Sequence, residues 1–203
     1  MTNRATFTGR EARILSDAAA GQYEELPGAR RFRNLDFVLY LLSVIVAALA
    51  FRAFLVEPVR VEGSSMVPTL LSGEHMFVEK VGYWFSEPKR GDIVICFYPG
   101  YRKSCVKRVI GLPGESVAVS GGRVYVDGRA LDEGAYWNDV MLTDTEPVTV
   151  GERELFVMGD NRNSSKDSRS PSVGCIPYEK LVGRARAVIL PLSAQRKLPN
   201  VGY

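Results

Sequence analysis

Ser65 stands in the segment Gly63-Ser64-Ser65-Met66-Val67-Pro68-Thr69-Leu70, and Lys107 in Cys105-Val106-Lys107-Arg108-Val109-Ile110-Gly111-Leu112-Pro113-Gly114-Glu115. A serine hydroxyl is a weak nucleophile until a neighbouring base takes its proton. Histidine is nearly excluded as that base by count, because His75 is the only one and its setting, Gly73-Glu74-His75-Met76, reads as an exposed turn or strand start. Lysine can fill the role when burial lowers its pKa toward neutrality, since desolvation disfavours the ammonium. Apolar residues on both sides of Lys107 offer such burial, in a strand that feeds into a turn. Each residue also has a plainer reading. A serine between Gly and Pro is a common turn residue, and a strand lysine is ordinarily solvated. On these two segments alone both readings stay open.

A third polar segment, Gly159-Asp160-Asn161-Arg162-Asn163-Ser164-Ser165-Lys166-Asp167-Ser168-Arg169, follows the apolar Leu155 to Met158. Its hydroxyls and opposed charges suit the support of a buried lysine, and equally suit a surface loop. It lacks the distal glutamate of an EF-hand calcium loop. Cys96, Cys105 and Cys175 lack the paired spacing of a zinc site, and His75 cannot complete one, so neither a metal nor another cofactor is expected. Cys96 and Cys105 flank a turn at Pro99-Gly100, which leaves two readings for them: a disulfide across a hairpin, or two buried thiols.

These residues need elements to hold them. The chain has 203 residues, a net charge of +3 and 24% charged residues, an ordinary balance that gives no footing for nucleic-acid binding. Residues 1–34 are polar and read as a largely mobile cytoplasmic tail, with a weak helical run around Glu11 to Ala20. Phe37 to Val56 is apolar except for Ser43 and Arg52, long enough as a helix to cross a bilayer, and 35–57 is read as a single transmembrane anchor. Arg30, Arg31 and Arg33 precede it and keep the N-terminus cytoplasmic, which places 58–203 outside the cytoplasm. Beyond the anchor the period becomes that of strands. Val59 and Val61 alternate with Arg60 and Glu62, Ile93 to Phe97 is continuously apolar, and Val117/Val119 and Val124/Val126 flank Gly121-Gly122 as a hairpin does. Asp127-Gly128 marks another tight turn, and Leu155 to Met158 and Ala187 to Leu190 supply further strands. The fold class is therefore mostly β: one N-terminal transmembrane helix followed by a twisted, partly closed antiparallel assembly, with a small β-hairpin insert over 114–158. Tyr83-Trp84-Phe85 fit either a membrane interface or ordinary hairpin packing.

Four motifs now stand in order behind an apolar span: SSMVPTL from Ser64, RGDIVICF from Arg90, VKRVIGLPGE from Val106 and GDNRNSSKDSR from Gly159. Each is weak alone, but the ordered set resembles a type I signal peptidase of the bacterial kind, from the anchor to about Val182-Gly183-Arg184-Ala185. The resemblance implies a serine endopeptidase of the cell membrane that removes signal peptides from exported preproteins with a Ser/Lys dyad. Its partners are then the signal peptide and the lipid bilayer. It implies Ser65 as nucleophile, Lys107 as general base and Ser165 as the hydroxyl that orients the lysine. Asp160 and Asp167 are implied as structural carboxylates, with Arg108 and Arg169 as their partners, and Met66 adjoins the nucleophile. Some members carry a serine two positions before the nucleophile whose hydroxyl supports the oxyanion. Here that position is Gly63, so the second oxyanion donor is left unassigned. Family substrates have small residues at the first and third positions before the cut, which suits an extended peptide bound along a strand edge, with Pro58 to Glu62 and the strand entering Lys107 as walls. A peptidase dedicated to one substrate shares these motifs. A self-cleaving repressor uses the same dyad but lacks an anchor, and an inactive binding module has no need of intact Ser65, Lys107 and Ser165.

Overall fold

A computed structural model of the chain describes residues 27–137, 139–199 and 201, together with Gly9, Arg13 and Ser16; the side chains of 27–33, 50–56 and Trp84 are outside what it describes. The helix expected around 11–20 falls largely outside the described residues. The chain divides into two compact units, 1–49 and 50–203.

In the first unit, helix α1 (Pro27–Leu55) begins; its side chains from Leu35 to Leu49 are mostly apolar and exposed, Phe37 at 66% and Tyr40 at 67% among them. Among the described residues no helix is long and apolar enough to cross a membrane. The described side chains of α1 end at Leu49, short of the full expected run to Val56.

The second unit is mostly β, and every strand pairing in it is antiparallel. Its strands are β1 (Val56–Arg60), β2 (His75–Glu79), β3 (Ile93–Phe97), β4 (Ser104–Gly111), β5 (Ser116–Ser120), β6 (Arg123–Val126), β7 (Arg129–Ala130), β8 (Thr145–Thr149), β9 (Glu154–Met158), β10 (Ile176–Pro177), β11 (Leu181–Leu190) and β12 (Arg196–Lys197). A one-turn helix, α2 (Gly82–Phe85), follows β2. Among the described residues the strands form an eight-stranded sheet, ordered β1-β2-β11-β3-β4-β9-β10 with β12 beside β11, and a four-stranded sheet ordered β7-β6-β5-β8. Register shifts in β11 and between β4 and β9 bend the larger sheet.

Burial on both faces explains the continuous apolar runs. Ile93 and Ile95 of β3 pack with Val61, Met66, Leu70 and Met76 on one side of the sheet, while Val94 and Cys96 pack with Val109, Leu155 and Val157 on the other. In β9, Leu155 and Val157 take that second face, and Phe156 and Met158 close a third cluster with Val117, Val119, Val124 and Val126 of the small sheet. A strand buried on both faces carries no alternation.

The insert differs from the expected hairpin over 114–158. The small sheet runs from Ser116 to Thr149 with four strands, and β9 belongs to the large sheet through its pairing with β4. The apolar character of β9 on both faces, typical of an inner strand, is the reason it leaves the insert. The hairpin around Gly121-Gly122 forms with Val117 opposite Val126 and Val119 opposite Val124, and both glycines have positive φ (55° and 78°), as a two-residue turn of this kind requires.

Candidate active site

The loop carrying Ser65 is held from below and from the side. Met66 and Leu70 are buried in the core beneath it, and the backbone bonds Val67 N to Ser64 O (3.1 Å) and Leu70 N to Met66 O (2.9 Å) tighten the turn. The flanks close on each other through Val61 N to Glu74 O (2.8 Å) and Gly73 N to Val61 O (2.9 Å). From the side, Asn161 donates its backbone N–H to Ser65 O (2.9 Å) and its side-chain amide to Ser64 O (3.2 Å).

Lys107 lies on β4 opposite Val94 and is 3% exposed. Its Nζ donates to Ser65 Oγ at 2.7 Å and to the Val106 carbonyl at 3.0 Å. Burial holds its amine below the ordinary lysine pKa, against the opposing pull of Cys105, Asp167, Cys96 and Asp160.

The polar segment reaches the dyad because of strand register. Arg108 of β4 is paired with Met158, the last residue of β9, so the chain leaving β9 runs at once alongside the Lys107 end of β4. Asp160 is fully buried and accepts from Arg108 Nε (2.8 Å) and Nη2 (2.6 Å), and also from Thr69 Oγ1 of the serine loop. Arg108, equally buried, also donates to Gly91 O (3.0 Å). Asp167 accepts from Gly159 N (2.9 Å) and from Arg169 Nε (2.8 Å) and Nη2 (2.9 Å). Asp160, with Arg108 and Thr69, thus ties the serine loop, β4 and the polar segment to one another, while Asp167 and Arg169 brace the polar segment internally.

Ser165 differs from its expected position. Its Oγ is buried without a protein hydrogen-bond partner, and the bonds made by Lys107 Nζ go to Ser65 and Val106. The Ser165 hydroxyl packs instead against the Cα of Gly159, where an added Cβ would collide with it. Gly63 has φ +88°, and a Cβ there would meet nothing within 4 Å, so a side chain at this position is opposed by backbone strain alone.

A cleft of about 430 Å³ opens beside the dyad. Val59, Val61, Met66, Ile95, Val106 and Tyr98 line it, together with Ser65, Gly63 and Cys105. The segment 59–62 forms one wall and 103–106 the other, and the ion pair of Lys103 Nζ with Glu62 Oε2 (2.7 Å) joins the two.

The sequence profile of the family described as signal peptidase, peptidase S26, matches residues 34–190. The chain belongs to this family. It is 41% identical over 184 residues to a signal peptidase I of Bacillus licheniformis, with 86% of this chain and 98% of that one covered. To signal peptidase I T of Bacillus subtilis it is 40% identical over 172 residues, covering 80% and 89%. The crystal structure of a signal peptidase I from Enterococcus faecalis aligns with a TM-score of 0.43 at 30% identity, over 49% of this chain and 97% of that one.

In this member of the peptidase S26 family, residues to which the sequence assigns no role of their own also hold the site. Gly159 allows the Ser65 carbonyl and Ser165 to approach the same point. Tyr136, from the loop between β7 and β8, lies against two buried guanidiniums, with Arg108 Cζ 4.0 Å and Arg162 Cζ 5.5 Å from its ring centroid. Its hydroxyl donates to Glu133 Oε1 (2.9 Å), and Glu133 also pairs with Arg162 (2.6 Å). The only available hint for this group was the Arg162 in the polar run, since a long loop gives no periodicity from which to place Glu133 or Tyr136.

Proposed function

We propose that this chain is a membrane-anchored signal peptidase that removes N-terminal signal peptides from exported preproteins, with Ser65 as nucleophile and Lys107 as general base. Family membership supplies the reaction class, serine endopeptidase, and the substrate class, the signal peptide. The observation that carries the residue assignment is the 2.7 Å contact between the buried Lys107 Nζ and Ser65 Oγ. A lysine desolvated in this way is closer to its neutral form at working pH. In that form the Ser65 O–H donates to the lone pair of Nζ.

The Ser65 oxygen attacks the scissile carbonyl carbon as its proton passes to Lys107, and the resulting ammonium gives a proton to the leaving amine as the acyl-enzyme forms. Water then enters, Lys107 takes its proton, and the ester is hydrolysed. The Ser65 backbone N–H is the assigned oxyanion donor, and no hydroxyl is available at Gly63. Segments 59–62 and 103–106 face each other across the cleft, the geometry an extended peptide needs to bind between two strand edges. Asp160 with Arg108 keeps the polar segment against the Lys107 strand, and Asp167 with Arg169 holds that segment's own shape.

The anchor is assigned to 35–57. The support is the helical course of α1 over Pro27–Leu55 and the exposed apolar side chains from Leu35 to Leu49, which water would solvate poorly. Arg30, Arg31 and Arg33 set the N-terminus in the cytoplasm and the body outside. The test is cleavage of a preprotein by the purified full chain in detergent. Ser65→Ala and Lys107→Arg should both lose turnover, the first with the thermal transition of the wild type, the second with a lowered transition in a still folded protein, because a buried guanidinium is not deprotonated. Turnover by Lys107→Arg within tenfold of wild type would remove lysine as the base.

A further inference from the structure

Cys96 and Cys105 have no part in the mechanism above, yet they are placed where a chemical change would reach it. β3 and β4 pair with Cys96 directly opposite Cys105, and the two Sγ atoms are 3.6 Å apart. Directly opposed residues in an antiparallel pair have Cα atoms about 4.5–5.5 Å apart, inside the span a disulfide bridges. Both thiols are free in this structure. Cys96 is fully buried, whereas Cys105 lines the cleft beside Ser65 and stands two residues before Lys107, on the same face of β4.

We propose that Cys96 and Cys105 are a redox-sensitive dithiol, closing to a disulfide across the β3–β4 hairpin and thereby removing a thiol from the wall of the dyad cleft. The oxidant is a disulfide compound that reaches Cys105 through the cleft. The Cys105 thiolate attacks one sulfur of that compound, whose S–S bond breaks, and one thiol leaves with a proton. The Cys96 sulfur then attacks Cys105 in the mixed disulfide, and the second thiol leaves with the other proton. The protein loses two electrons and two protons, and the oxidant is reduced to two thiols. The polarity fits this order, because the hydrogen bond from Cys96 and the nearby Lys107 charge hold the Cys105 thiol below its ordinary pKa.

The consequence for catalysis rests on the Ser65/Lys107 reading. The titratable groups facing Lys107 are Cys105 on its own strand, Cys96 on β3, and Asp160 and Asp167 from the polar segment. Both carboxylates are already paired with arginines, which leaves Cys105 as the neighbour whose anionic form favours a protonated lysine. Closing the bridge removes the Cys105 thiolate wherever it is populated, so over that range the oxidised enzyme keeps a neutral Lys107 to lower pH.

The test treats reduced full-length chain in detergent with glutathione disulfide, maps peptides without reductant, and records the pH dependence of single-turnover cleavage before and after. Proteolysis after Arg102 or Lys103 separates the two cysteines, so a linked peptide that falls apart on reduction reports the bridge. The expected result is that peptide, absent in Cys96→Ala, together with a reversible shift of the acidic limb to lower pH, absent in Cys105→Ala. Two thiols that alkylate freely after the treatment, or a glutathione cap on Cys105 with Cys96 still free, would overturn the bridge. A bridge that leaves the limb unmoved would overturn its link to Lys107. The bridge is read by mass, so it is decided even where cleavage fails, an outcome that counts against the dyad assignment alone.

Discussion

Gly159→Ala adds one methyl group at the point where the dyad loop and the polar segment meet. The added Cβ would lie 2.5 Å from the Ser65 carbonyl oxygen and 2.6 Å from Ser165 Cβ, where ordinary contact begins near 3.4 Å, so the serine loop must retreat by about 0.9 Å (3.4 − 2.5) or the polar segment must move instead. Neither is free to do so without loss. The Ser65 carbonyl is held by Asn161 N at 2.9 Å, and Gly159 N is held by Asp167 at 2.9 Å. Overpacking of this kind destabilises by about 1–3 kcal/mol. Its effect on rate is larger in proportion, since a misplacement of roughly 1 Å at reacting groups can lower a rate about a hundredfold. Single-turnover cleavage of a preprotein, measured beside urea denaturation of the same sample, separates the two effects. The expected outcome is a folded protein with a rate about a hundredfold below wild type. A folded Gly159→Ala enzyme cleaving within threefold of wild type would show that Ser65 does not depend on this contact.

Three further outcomes follow from the site. The depressed pKa of buried Lys107 means that the unfolded chain binds its proton more readily than the folded one, so wild-type stability rises with pH between the folded-state pKa and about 10.4, by at most about 1.4 kcal/mol per unit. Lys107→Met lacks that slope; its stability relative to wild type should be greatest at low pH and fall through this window, and parallel stability curves would refute the burial argument. Asp160→Asn takes the carboxylate from the fully buried Arg108, which should cost about 3–5 kcal/mol by thermal or urea unfolding; a loss below about 1 kcal/mol would mean the pair does not hold the fold. Ser165→Ala removes a buried hydroxyl with no protein partner, so stability should stay level or rise by up to about 1–3 kcal/mol, and a clear drop in stability would show that the folded enzyme satisfies that hydroxyl.

The strand pattern was legible because burial leaves a direct mark on sequence. β3 is apolar at every position through Cys96, and it has core on both faces; the β5–β6 hairpin shows alternation and a Gly-Gly turn, and it forms around that turn. The end of the small sheet is not marked in the sequence for a related reason. Leu155 to Met158 has the same two-faced burial as β3, and adjacency in sequence to the small sheet concealed its pairing with β4. Which partner a strand selects depends on the remainder of the sheet, and local pattern does not carry that information.

The site divides along the same line. The Asp160 and Arg108 pair and the Asp167 and Arg169 pair are implied by the resemblance; burial of such charges demands a partner, but the residue types alone do not say which. Gly159 and Tyr136 act through space that something else occupies: one by having no side chain where Ser65 and Ser165 converge, the other by packing against Arg108 and Arg162. Tyr136 also shows how the loop between β7 and β8 bears on the strand that carries Lys107. The loop that carries it holds one face of Arg108 while Asp160 holds the guanidinium edge, and Arg108 is the residue that follows Lys107 on β4. Shortening that loop would expose a charged face now covered by an aromatic ring, and the strand that positions the lysine would lose its restraint on that side.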